Sequence, residues 1–162
     1  MKRGAARGRY DPTMSARFAI LALVTACQGA AVPTGAVEAV PAPATGDAAA
    51  WIASQRAPGK DTIVYVGASW CEPCRHFHDA VAAHQLDSKF PRLRLLEFDW
   101  DRDGDRLTAA GYGSQMLPLF ALPDASGKPA GPQIEGSIKG PGAVDEITPR
   151  LAGLIAAAPR TP

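Results

Sequence analysis

Cysteine is scarce in this chain of 162 residues: there are three, Cys27, Cys71 and Cys74. So few exclude a disulfide-stapled scaffold, which needs several bridges in place of a core. A charge excess of one sign is lacking too. Lys plus Arg total 17 against 16 for Asp plus Glu, so the totals carry no nucleic-acid footprint. Long apolar runs are missing. The stretch Phe18–Ala26 would span about 13 Å as a helix, against a hydrocarbon core of about 30 Å, which excludes a conventional membrane-spanning helix. No glycine-rich nucleotide fingerprint is present, so no bound nicotinamide or flavin is expected, and no cofactor is predicted. What remains is 46% hydrophobic and 20% charged, the composition of a globular chain with one real core.

The charges are unevenly placed. Residues 1–26 carry five basic side chains against Asp11, net +4, and the other twelve basic and fifteen acidic residues give −3. A basic leader followed by a short apolar region reads as a secretory signal over 1–26, with Met14 as an alternative start. Val24-Thr25-Ala26-Cys27 resembles the bacterial lipobox, which implies cleavage before Cys27, lipidation of that cysteine and a membrane anchor. Gln28 in the next position implies sorting to the outer membrane, on the periplasmic side of the envelope. Lipid on Cys27 also resolves an odd cysteine count, leaving Cys71 and Cys74 as a pair.

Those two stand in Trp70-Cys71-Glu72-Pro73-Cys74-Arg75, between a β-rich run, Thr62–Ala68, and a helical stretch from about 72 to 85. The first turn of a helix presents unpaired N–H groups and partial positive charge, which favour a thiolate. Cys71 is therefore the expected attacking sulfur, and Cys74, one turn on, the one that closes the disulfide. Pro73 fits a first turn, where its missing N–H costs little. A c-type haem site needs His in place of Arg75. A zinc site lacks a second cysteine pair, although His76, His78 and His84 follow and Cys74 and His78 are spaced i, i+4. A copper- or zinc-binding module thus stands as the alternative to a redox dithiol, with no metal ligands assigned.

The remaining chain orders itself around this stretch. Residues 27–46, rich in Ala and Pro, read as a tether without strand periodicity. Asp47 caps a helix over 48–56, and a second buried strand follows at Leu93–Phe98. Asp99-Trp100-Asp101-Arg102-Asp103-Gly104 mimics the front of a calcium loop, but Ala110 stands where a bidentate Glu is required, so the segment is expected to be a solvated loop before 107–111. A hairpin pairs Leu119–Leu122 with Gln133–Ser137. The closing helix, 143–157, is expected to kink or split at Pro149, with Thr148 capping its second half; 158–162 is a tail.

In this order the residues of 47–157 resemble the thioredoxin-like superfamily, through Trp-Cys-x-x-Cys after a strand, Tyr112-Gly113 ahead of Pro118, the hairpin, Gly136 and the closing helix. The resemblance implies an α/β fold, a central mixed sheet with helices on both faces, and a thiol–disulfide oxidoreductase acting on protein thiols and disulfides. It implies that Pro118 is a cis-proline at the disulfide and that Gly136 leaves room for a substrate chain. Trp70, Pro73, Met116, Leu117 and Pro118 would form an apolar rim for that chain. A separate electron donor is implied as partner. Two positions depart from the family. Tyr65 replaces a buried Asp six residues before the first cysteine, so the acid serving Cys74 is missing or relocated; Glu97 is read as a strand-end ion pair and not as its replacement. Glu72 opposes a Cys71 thiolate, which predicts a reducing couple nearer about −270 mV than about −120 mV.

Overall fold

The computed structural model describes residues 35–158. The expected signal segment, Cys27 and the end of the tail lie outside the described residues.

The chain's apolar runs become the middle of a five-stranded mixed sheet in the order β1-β3-β2-β4-β5. β1 (Glu38–Pro41), β3 (Leu93–Asp99) and β2 (Asp61–Gly67) are parallel; β4 (Leu119–Pro123) and β5 (Pro129–Glu135) run as an antiparallel hairpin. β2 is apolar at nearly every position because both of its faces are covered. Ile63 and Tyr65 join Leu93, Leu95 and Phe120 beneath α2 (Glu72–Ala82) and α4 (Ala143–Ala156). Val64 and Val66 join Leu96, Phe98 and Leu119 beneath α1 (Ala48–Ser54) and α3 (Trp100–Ala109). This is the α/β architecture expected from the sequence.

Four local expectations give way. Residues 38–41, read as tether, form edge strand β1, held by a 2.6 Å ion pair from Arg94 to its register partner Glu38. Four residues are too few to show a period of two. The expected loop at 99–104 is instead the start of α3. Asp99 caps it, accepting from the Arg102 N–H at 3.1 Å, and acidic residues in the first turn suit the helix dipole. Asp103 is wholly buried, with Arg102 and Arg106 each at 2.8 Å. His84 does not extend the buried stripe of α2. It follows the helix end with φ +59° and pairs in the open with Asp87 at 2.9 Å. Finally, α4 runs unbroken through Pro149; Ile147, Leu151 and Leu154 bury on both sides of it, and Thr148 donates to the Val144 carbonyl inside the helix instead of capping one.

Candidate active site

β2 ends at Gly67 and the chain turns through Ala68–Trp70 into α2, so both cysteines arrive at a helix N-terminus. Cys71 is the N-cap residue, and its Sγ accepts from the Cys74 N–H at 3.3 Å. The two sulfurs are joined as a disulfide. Ala68 is buried with them, and Trp100 and Leu117 pack against the group. Cys71 is 5% exposed and Cys74 3%, so the bridge is sheltered rather than open. The backbone N–H and the helix dipole both favour negative charge on the Cys71 sulfur once the bridge is reduced.

Exposed apolar side chains gather beside the bridge. Trp70 is 64% exposed and Met116 59%, with Ile138 near the same groove at 54%. Trp70 is no packing residue of the core: its indole N–H donates to both oxygens of Asp101, at 3.0 and 3.1 Å, which holds the ring in place. A groove of about 470 Å³ is lined by Trp70, Trp100, Met116, Leu117, Gly136 and Ile138. Four of the residues expected to bind substrate therefore come together: Trp70, Met116, Leu117 and Gly136. Pro73 and Pro118 do not line the groove. Both are buried, Pro73 in the first turn of α2 and Pro118 immediately before β4.

The Leu117–Pro118 bond is cis. The Pro118 carbonyl accepts from the Gly136 N–H at 2.9 Å, which ties the hairpin to the approach of Met116. Gly136 has φ +65°, and a Cβ there would lie 3.3 Å from Met116 Cβ. Arg150 of α4 donates to the Glu135 and Gly136 carbonyls, so the end of β5 is braced as well.

The other face of the dithiol is polar. Tyr65 lies beneath α2 and donates its hydroxyl to the Cys74 carbonyl at 3.2 Å; burial and the nearby Glu97 both push its phenol up. Glu97 is Tyr65's register partner on β3. Among the described residues its carboxylate has no ion-pair or hydrogen-bond partner, contrary to the expected strand-end ion pair. Burial pushes its carboxyl above the ordinary range, against an opposing pull from His78. His76 stands 3.8 Å from Glu72, and His78 is exposed. Among the described residues no group of three or more His, Cys, Asp or Glu side chains converges to hold a metal ion. In the sequence Trp100 and Asp101 stand only in the calcium-loop look-alike and Arg150 in no motif; the fold alone brings Trp100 and Arg150 to the groove and Asp101 to Trp70.

No protein-family model and no curated protein matches the sequence. Solved structures do. Thioredoxin O1 from Arabidopsis thaliana, in its oxidized state, is 18% identical over 73% of this chain and 98% of its own, with a TM-score of 0.48. Thioredoxin NaTrxh from Nicotiana alata is 17% identical over 76% and 98%, at 0.47. A reduced Schistosoma mansoni thioredoxin is 18% identical over 72% and 98%, at 0.44. With identity and TM-scores this low, the chemistry rests on the residues of the site and not on these proteins.

Proposed function

We propose that the chain is a thiol–disulfide oxidoreductase acting on protein disulfides in the reducing direction. The observation that carries this is the Cys71–Cys74 bridge at the N-terminus of α2, beside a groove walled by exposed Trp70 and Met116. In the reduced protein the Cys71 thiolate attacks a substrate disulfide and forms a mixed disulfide. Cys74 then attacks Cys71, re-forming the bridge and releasing the substrate as dithiol. A substrate segment in the groove meets Trp70, Met116 and Leu117, with Gly136 packed beside Met116. The reducing direction is supported by Glu72, whose charge beside Cys71 disfavours the thiolate and hence the reduced form.

The setting we propose is the bacterial envelope, with lipid on Cys27 and a separate donor of electrons. It is supported by the basic residues before Phe18, the apolar run after it and the small residues ahead of Cys27. Reduction of insulin in the presence of dithiothreitol tests the activity: turbidity is expected with the wild-type chain and not with Cys71→Ser. Radiolabelled fatty acid in cells expressing the full chain tests the anchor, with label expected on the wild type and absent from Cys27→Ser.

A further inference from the structure

The groove beside the dithiol is not electrically neutral. Its lining includes two carboxylates, Glu135 and Glu146, and one guanidinium, Arg150. Arg150 pairs with Glu146 at 2.7 Å, and its other hydrogen bonds go to the main-chain carbonyls of Glu135 and Gly136. It therefore cancels Glu146 and leaves the Glu135 carboxylate uncompensated. Lys139 follows Ile138 in the chain but is exposed and does not line the groove.

Glu135 is short of donors as well as of a counter-charge. Its one hydrogen-bond partner among the described residues is Ser114. A serine hydroxyl has a single proton, and this one faces two acceptors, the Met116 carbonyl at 2.6 Å and Glu135 Oε2 at 2.8 Å. Whenever the proton goes to the carbonyl, the half-buried carboxylate loses that donor. An N–H-bearing cation would satisfy it in charge and in hydrogen bonding together. The aromatic lining has the same preference. Trp70 is exposed and Trp100 half-buried, and indole faces attract ammonium and guanidinium groups. Asp101, which holds the Trp70 indole, has no cationic partner among the described residues either.

We propose that the groove selects protein disulfides flanked by a basic side chain, with Glu135 as the specificity-determining residue. This rests on the dithiol chemistry proposed above and adds the class of substrate it serves. A lysine or arginine of the substrate segment donates to the Glu135 carboxylate, and its apolar stem lies along the exposed side chains of Met116 and Ile138. An acidic segment meets a like charge and finds no uncommitted cation in the lining, because Arg150 is held by Glu146.

Three synthetic peptides test this, each closed by one internal disulfide and identical except for Lys, Gln or Glu beside a cysteine. The reduced full-length protein is mixed with each, the reaction is quenched with acid, and the peptide dithiol is quantified. The same peptides reduced by dithiothreitol give the intrinsic reactivity by which each rate is divided. The wild type is expected to reduce the Lys peptide about fivefold faster than the Gln peptide, and the Glu peptide slowest. In Glu135→Gln the spread between Lys and Glu peptides is expected to shrink severalfold, and in Glu135→Lys to reverse. Equal corrected rates for the three peptides, or the same spread in wild type and Glu135→Gln, overturn the inference. If the Glu135 variants do not fold, salt decides with the wild type. The spread is expected to narrow as ionic strength rises from about 0.01 M to about 1 M, and a spread that salt leaves unmoved overturns the inference. A wild-type protein that reduces none of the three peptides overturns the dithiol reading itself, whereas one that reduces all three without preference overturns this inference alone.

Discussion

The Tyr65 hydroxyl donates to the Cys74 carbonyl at 3.2 Å, joining the middle of the sheet to the first turn of the active-site helix. The ring is gripped by Phe77 and Phe120, with centroids at 5.4 and 5.1 Å. Gly67, at the end of the same strand, makes room for it: a Cβ there would sit 2.8 Å from the Tyr65 hydroxyl and 3.4 Å from Cys74 Cβ. A bulky aromatic thus occupies the floor of the site because the strand ends in a residue without a side chain.

Tyr65→Phe removes one buried hydrogen bond while keeping the ring, so a loss of about 1 kcal/mol in urea unfolding is expected. Gly67→Ala drives a methyl into the hydroxyl and is expected to cost more, about 1–3 kcal/mol. In the double variant the added cost of the alanine shrinks, because the clashing oxygen is gone.

Gly136→Ala puts a side chain at φ +65° against Met116. Insulin reduction is expected to fall several-fold through KM, because the groove is displaced. The rate at which the reduced protein releases the first thiolate from a small aromatic disulfide, dithiobis(nitrobenzoate), needs only Cys71 and is expected to change little.

Burial pushes the Asp103 carboxyl up, but hydrogen bonds from Arg102, Arg106 and the Asp99 N–H outweigh it and hold the group below its ordinary 3.8. A depressed carboxyl adds stability above its unfolded value, and that stability is lost as pH falls through the folded one. Stability of the wild type is therefore expected to drop below about pH 4. Asp103→Asn is expected to lose about 2–3 kcal/mol near neutral pH and to show a flatter acid limb in urea titrations.

Glu72 lies in the first turn of α2, beside the bridge. Glu72→Gln is expected to raise the reduction potential against glutathione by on the order of 10 mV, since a thiolate at Cys71 loses a like charge beside it.

The sheet's centre and the dithiol were legible because each carries a strong local signal. Thr62–Val66 is apolar without a break, and Trp70–Cys74 follows it where a helix begins. β1 was not legible, since Glu38–Pro41 is short and takes its place only through Arg94 and the β3 ladder. α3 was misread because Asp99, Asp103 and Gly104 are loop-forming residue types. What holds Asp103 inside is a pair of arginines that also reach the carbonyls of Ala42 and Pro43, a tertiary arrangement with no sequence period. Glu97 was misjudged for a similar reason. Its having no partner among the described residues is a tertiary outcome, since β3 and α2 line one cavity there.

Alkylation of the reduced full-length protein by iodoacetamide, followed residue by residue, is the most direct measurement. The account requires Cys71 to react before Cys74, and at neutral pH faster than an ordinary thiol of pKa about 8.5. A folded, reduced protein in which Cys71 stays unmodified, or reacts no sooner than Cys74, contradicts it.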